Sequence, residues 1–314
     1  MNDTNNTKPA FLITIDTEGD NLWALPKTIT TENSRHLPRF QELCERYGFK
    51  PTWLTNYEMA ESTVFCEFAR DVLERGTGEI GMHIHAWNSP PVTNDDPRNQ
   101  AYLIEYPENV MKDKIKFMTE LLEQRFERKI VSHRAGRWAF NSCYAQLLVQ
   151  HGYLIDCSVT PHVSWVSVLG DPNGSGGSDY TTFPTQPYFM DLDRIDRKGN
   201  SPLLEVPVSI VQVVQSFSPI ITRWLRPNGR NRDSMLAILH QACKEQWLCV
   251  EFMLHSSELM TGGSPTFQTQ DSIEALYDDL EALLSKAAEQ FRGETLSEFY
   301  NEYKIRSSQI RCLI

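Results

Sequence analysis

The feature that most constrains this chain is an alternation. Short apolar runs with β-branched residues recur along it, interspersed with segments whose apolar residues repeat at helical spacing. Phe11 to Ile15, Pro51 to Leu54, Glu79 to His85, Lys129 to Ser132, Tyr153 to Cys157, Leu203 to Val206, Val208 to Val214 and Trp247 to Leu254 read as strands. Residues 33–47, 64–75, 108–127, 141–151, 233–246 and 271–291 read as helices. In the first helix Leu37, Phe40, Leu43 and Tyr47 share a face and Gly48 is the stop. In the last, Ile273, Leu276, Leu280, Leu283, Leu284, Ala287 and Phe291 form one stripe suited to a core. Such alternation predicts a mostly parallel sheet in a barrel-like α/β fold. No fixed-period repeat or domain linker interrupts it. The expected organisation is a disordered lead over residues 1–10 and one domain over 11–314. Residues 88–100 and 170–179 read as loops, and 292–314 as either a final helix or a docking tail.

Composition narrows the function classes. Hydrophobic residues make up 40% and charged residues 23%, enough to build a large core. Acidic residues outnumber basic ones 41 to 30, a net charge of -11. That balance argues against nucleic acid as the partner, because phosphate-backbone binding is driven by Lys and Arg displacing counterions. No run of about 18 apolar residues exists, so no membrane span is expected. The polar N-terminus has no apolar core of a secretory signal. Cysteines 44, 66, 143, 157, 243, 249 and 312 form no Cys-x-x-Cys pair. An odd, scattered set suits reduced thiols and a cytoplasmic location.

Several predicted strands end in residues that carry chemistry. Thr14-Ile15-Asp16-Thr17-Glu18-Gly19-Asp20 places Asp16 and Glu18 two apart, so both project to one face of an extended chain. At a strand's C-terminal end, where barrel active sites lie, one carboxylate could bind a metal and the other take a proton. The competing reading is a helix cap or turn, since the segment is rich in turn formers. His83 and His85 close Gly81-Met82-His83-Ile84-His85-Ala86-Trp87 with the same spacing. Two imidazoles and a carboxylate leave coordination positions open for water and substrate. In Ser132-His133-Arg134-Ala135-Gly136-Arg137-Trp138, Arg134 could hold a catalytic carboxylate, while His133 would point away from it. Asp156 closes the next strand. His255 closes Cys249-Val250-Glu251-Phe252-Met253-Leu254, which suits a general acid. His36, His151, His162 and His240 lie in helices and loops and receive no role.

In this order the segments over residues 11–260 resemble the polysaccharide deacetylase family, the NodB-homology or family 4 carbohydrate esterases. The resemblance implies a distorted (β/α)7 barrel of the glycoside hydrolase/deacetylase type. It also implies hydrolysis of N- or O-acetyl groups on sugars, commonly with Zn2+. Asp16 falls at the family's catalytic base, Glu18 near its metal carboxylate and His83 at its first metal histidine. Arg134 matches the arginine that orients the base, Asp156 the acidic residue of the following motif, and His255 the catalytic histidine. Three departures stand out. Thr17 separates the two acids that the family places side by side. Trp87 occupies the usual position of the second histidine, which makes His85 the second ligand on spacing. Arg134-Ala135-Gly136 replaces Arg-x-Pro.

The expected activity is thus a metal-dependent hydrolase of an acetylated saccharide, with Asp16 as base and His255 as acid. Trp23, Trp87, Trp138 and Trp165 are candidates to stack on a sugar ring, although for any single one the reading as a core or loop anchor comes first. Alternatives are a hydrolase of a small cyclic amide or ureide on the same barrel, or a glycan-binding relative without turnover.

Overall fold

The structure, a computed structural model, describes residues 8–92, 101–170, 173–213 and 220–311, with side chains to residue 309. Eleven strands and eight α-helices run through these residues. The strands are β1 (Ala10–Thr17), β2 (Thr52–Thr55), β3 (Glu79–Ile84), β4 (Ser132–Ala135), β5 (Ile155–Asp156), β6 (Tyr188–Phe189), β7 (Leu204–Glu205), β8 (Ile210–Val213), β9 (Ile221–Trp224), β10 (Cys249–His255) and β11 (Arg292–Glu294). The helices are α1 (Leu37–Arg46), α2 (Tyr57–Glu61), α3 (Thr63–Arg75), α4 (Glu108–Phe126), α5 (Ser142–Gln150), α6 (Arg232–Lys244), α7 (Gln270–Gln290) and α8 (Leu296–Arg311).

The main sheet has the order β10-β1-β2-β3-β4-β5-β7-β6, and β11 pairs with the start of β1. All its pairings are parallel except β6 with β7. The sheet curls, and Ser209 links its far side back to β10. The Ser209 amide donates to the Glu251 carbonyl at 3.2 Å, and the Glu251 amide donates to the Ser209 hydroxyl at 2.9 Å. This is the (β/α)7 type of distorted barrel, with a seam of isolated hydrogen bonds in place of a full strand pair.

Side chains alternate across the barrel wall. Register pairs Asp16 with His255, Leu12 with Glu251 and His83 with Arg134, and these rows face inward. Phe11, Ile13, Ile15, Met82 and Phe252 face outward and pack beneath the helices in the large outer core. The inner cluster of Leu12, Leu54, Ile155, Cys157, Leu204 and Val206 is capped from below by Leu296, Phe299 and Tyr300 of α8. Gly81 is required in this interior, because a Cβ there would lie 2.6 Å from Leu54 Cδ2 and 2.9 Å from the Ser132 carbonyl oxygen.

The predicted elements recur with shifts that have local causes. Helices start at side-chain caps: Asn56 Oδ1 accepts from the Met59 amide at 3.2 Å, and Asn141 Oδ1 from the Tyr144 amide at 2.9 Å. The helix expected from residue 33 opens with a 3-10 turn, Glu32–His36, and turns α-helical at Leu37. Strand β4 begins at Ser132, where the expected run ended, because its interior positions are polar and broke the apolar pattern. The segment expected as Val208 to Val214 begins only at Ile210 and pairs with the unanticipated β9 in a separate two-stranded ribbon; Val214 lies outside the described residues. Ala10 is buried in β1, so the lead ends before it; residues 1–7, most of the 88–100 loop and residues 171–172 of the 170–179 loop lie outside the described set. Residues 292–311 form β11 and α8, the barrel's floor. The six described cysteines are free thiols. Among the described residues no helix is long and apolar enough to cross a membrane.

If α8 closes the barrel from below, Phe299→Ala should lower unfolding stability by about 3–5 kcal/mol, the usual cost of truncating a buried aromatic. Urea denaturation measures it, and a loss well under 1 kcal/mol would remove α8 from that role.

Candidate metal centre

Three potential ligands meet at the C-terminal mouth of the barrel: Glu18 just past β1, His83 in β3 and His85 just past it, all buried. Glu18 Oε2 lies 2.7 Å from His85 Nε2 and 3.6 Å from His83 Nε2, and the two Nε2 atoms are 3.0 Å apart. His83 Nδ1 donates to the Arg134 carbonyl at 2.9 Å, which leaves Nε2 of the neutral ring as a lone pair. His85 Nδ1 is buried without a partner. Ligands of a tetrahedral ion with bonds of about 2.0–2.2 Å sit roughly 3.3–3.5 Å from one another. The observed spacings bracket that range, and a carboxylate with two imidazoles suits a divalent transition metal. These residues therefore fit a divalent transition metal.

The backbone that presents Glu18 is fixed by neighbours. Its amide donates to Ser256 Oγ at 3.1 Å, and its carbonyl accepts from Ser256 Oγ at 3.1 Å and from Asn33 Nδ2 at 2.9 Å. Asp20 takes the capping role that the turn-rich segment suggested, accepting from the amides of Glu32 at 2.8 Å and Asn33 at 2.9 Å. Asp16 and Glu18 are left to face the pocket.

Arg134 is fully buried, and its guanidinium knits the interior together. Nη1 donates to Asp16 Oδ1 at 2.7 Å, Nη2 to Thr14 Oγ1 at 2.7 Å and to Glu251 Oε1, and Nε to the Cys157 carbonyl at 2.9 Å. Burial alone would raise the Asp16 pKa, but Arg134, then His83 and His255, hold it below the usual carboxylate value. Glu18 follows the same logic: burial opposes its charge, while His255 and hydrogen bonds from His83 and His85 outweigh that and hold it well below the usual range. Burial pushes Glu251 up instead, despite Arg134 and Thr14. Glu251 escaped the sequence reading, yet a charged residue four before His255 in an otherwise apolar strand was its signature.

His255 closes the constellation. Nε2 lies 3.6 Å from Asp16 Oδ2 and 3.9 Å from Glu18 Oε1. On the other side, Nδ1 is 3.2 Å from Glu258 Oε2 and 3.1 Å from Arg226 Nη2. These two contacts need opposite states of Nδ1: protonated, it donates to Glu258; unprotonated, it accepts from Arg226. Glu258 also accepts from the His255 amide at 3.0 Å, in a capping box. Glu258 is a second missed residue; the His255-x-x-Glu258 spacing at a strand end was the clue.

Asp16, Glu18, His83, His85 and His255 all line one cavity of about 410 Å³, together with Trp23, Trp87, Trp138 and Trp165. Trp23 meets the His255 ring edge-on at 4.7 Å, and Trp87 packs on His85 at 4.3 Å. Arg134 lies behind this lining, against Asp16, with its guanidinium carbon 5.1 Å from the Trp138 ring. Asp156 is placed elsewhere. Its register partners are His133 and Glu205, in the outward row. It accepts from His133 Nδ1 at 2.6 Å and from the Ser158 hydroxyl at 2.9 Å, so it serves the layer between sheet and helices. Its position one residue beyond inward-facing Ile155 turns it away from the cavity. His133 is structural as expected, with Nε2 2.8 Å from the Tyr144 hydroxyl.

Removing Arg134 would leave two buried carboxyl groups uncompensated. Arg134→Met should cost about 3–5 kcal/mol in urea unfolding. Glu251→Gln keeps the shape and removes a charge that burial disfavours, and should cost about 1 kcal/mol. Equal losses for the two variants would contradict this division.

No family model matches the chain, and no curated protein sequence does either. Solved structures do. A candidate glycoside hydrolase/deacetylase from Parabacteroides distasonis superposes with a TM-score of 0.64 at 10% identity, over 95% of this chain and 72% of that one. A candidate polysaccharide deacetylase from Mycobacterium smegmatis superposes with a TM-score of 0.55 at 15% identity, over 96% and 92% of the two chains. A 4-alpha-glucanotransferase from Thermococcus litoralis has a TM-score of 0.55 at 12% identity, over 94% of this chain and 40% of its own. The barrel is therefore shared with a glucanotransferase and with candidate deacetylases, and this chain has the fold of the polysaccharide deacetylases.

Proposed function

We propose that this protein is a metal-dependent hydrolase that removes acetyl groups from an N- or O-acetylated saccharide. The observation that carries the reading is the convergence of Glu18, His83 and His85 with an Arg134-held Asp16 and with His255 around one cavity. Glu18, His83 and His85 would hold a divalent cation, for which we propose zinc. When bound, such an ion polarises a carbonyl and lowers the pKa of water toward about 7.

The protein's own groups divide the remaining work. Asp16 is kept ionised by Arg134 and aimed by its bond to Nη1, so it accepts the proton of the attacking water through Oδ2, the oxygen that faces His255. His255 stands opposite and donates a proton from Nε2 to the departing nitrogen or oxygen of the sugar. Glu258 orients the ring by accepting from Nδ1. In this reading the role of Glu258 resembles that of a carboxylate behind any catalytic imidazole: it holds the ring in one orientation. The tryptophans at the mouth provide flat apolar faces for a pyranose ring and exclude water from the reacting bond. Asp156 has no part in these steps.

The purified protein should carry about one divalent ion per chain by elemental analysis. Glu18→Ala, His83→Ala and His85→Ala should each lose most of it. Acetate release from chitooligosaccharides should stop on chelation and return with zinc; release that continues in fully demetallated protein would sink the proposal. Asp16→Asn should retain the metal but lower kcat by about 10²–10⁴-fold, as expected for loss of a general base. An Asp16→Asn protein that turns over normally would remove the base from this scheme.

A further inference from the structure

A second cavity, of about 520 Å³, adjoins the first. The two share Leu22, Leu25, Trp87, Arg137 and Gly170 in their linings, so they form one continuous cleft with Arg137 at the junction. Their charges are opposite. The floor of the first holds Asp16 and Glu18, whereas the only charged groups lining the second, among the described residues, are Lys27 and Arg137. In a chain with 41 acidic residues against 30 basic ones, a cleft whose outer half presents only cations among the described residues is not the expected background.

Arg137 is held in place by the fold. It adopts left-handed backbone with φ 56°, and Trp138 follows at φ 62°. Consecutive non-glycine residues in that region persist only where surrounding structure enforces them. The enforcement comes from Gly136, where a Cβ would sit 2.4 Å from the Ile84 carbonyl oxygen, so the turn is pressed against the end of β3. The guanidinium carbon lies 5.2 Å over the Tyr102 ring, within cation–π reach. No acidic side chain among the described residues pairs with Arg137. Arg226, the other arginine in the first cavity, is already engaged by Glu258 at 3.3 Å and by His255. A planar cation of this kind matches the oxygens of phosphate or carboxylate. The adjoining wall is apolar, with Leu25 77% exposed and Trp23 40% exposed.

We propose that the outer cavity is a subsite for an anionic group, phosphate or carboxylate, carried by the acylated sugar, with Arg137 as its main contact and Lys27 at its edge. This rests on the deacetylase reading for the identity of the sugar, but not for the anion preference. The test is calorimetric binding to the metal-loaded protein. The probes are N-acetylglucosamine, its 1-phosphate and 6-phosphate, and N-acetylmuramic acid, which carries a carboxylate. At least one anionic probe should bind about tenfold or more tighter than the neutral sugar. Arg137→Asn, which suits left-handed backbone and lacks the charge, should bring the ratio near one. Arg137→Lys should restore part of it. The phosphate and carboxylate arms decide which anion the site prefers. Equal binding of neutral and anionic probes overturns the proposal. So does an anionic advantage that survives Arg137→Asn, since the anion would then sit elsewhere, at the metal centre for example. Absence of acetate release with an intact anion preference would sink the deacetylase reading and leave this subsite standing.

Discussion

The structure turns on a buried guanidinium. Arg134 sits inside the barrel with no exposure, and its donors reach Asp16, Thr14, Glu251 and the Cys157 carbonyl. An isolated buried cation would be prohibitive; here it is matched by acceptors from β1 and β10 and from the residue just past β5. The same contacts that satisfy Arg134 also keep Asp16 ionised in a place where burial favours the neutral acid. One group thus serves as interior cross-link and as electrostatic setting for the chemistry above it. Two of the missed residues, Glu251 and Glu258, play matching supporting parts, one beneath Arg134 and one behind His255.

A second constraint is the alternation of the barrel wall. A shift of one residue decides whether a side chain meets the cavity or the helices. Arg134 and His133 are adjacent in sequence and work in different layers: one on Asp16, the other on Asp156 and Tyr144. Asp156 looked catalytic because of its place in the order of motifs, and its register with His133 explains why it is not at the site. His85 shows the reverse. Spacing alone put it beside His83, and its Nε2 does approach both His83 and Glu18. Trp87, in the position where a second histidine was expected, packs on the His85 ring.

Much of the architecture was legible in the sequence. The long helices α4 and α7, the apolar strands β1 and β10, and the inward pairs Asp16/Glu18 and His83/His85 all follow from period and spacing. Strand β4 was misplaced because a barrel interior can be polar: Ser132 bonds to Glu79 on the neighbouring β3 and Arg134 reaches across the interior to Asp16, where a hydrophobic pattern would look for aliphatic residues. The ribbon of β8 and β9 was half missed because β9 is exposed, and its residues Ile221 to Trp224 lack a buried face. The C-terminal segment was ambiguous because α8 has a weakly amphipathic pattern, and only its fit beneath Leu12 and Leu204 shows which face is buried.

By itself the sequence determined the local periods: which segments are strands or helices, which residues share a face, and which strand ends carry titratable groups. Those properties depend on neighbours a few positions away. Only the tertiary structure decided which of these ends converge, because convergence depends on sheet order and register over separations of a hundred residues or more. It is the parallel register of β1 with β10 that sets Asp16 opposite His255, and the curl of the sheet that carries Arg134 across the interior to Asp16. The acidic floor and the cationic outer cleft exist only once that closure has been made.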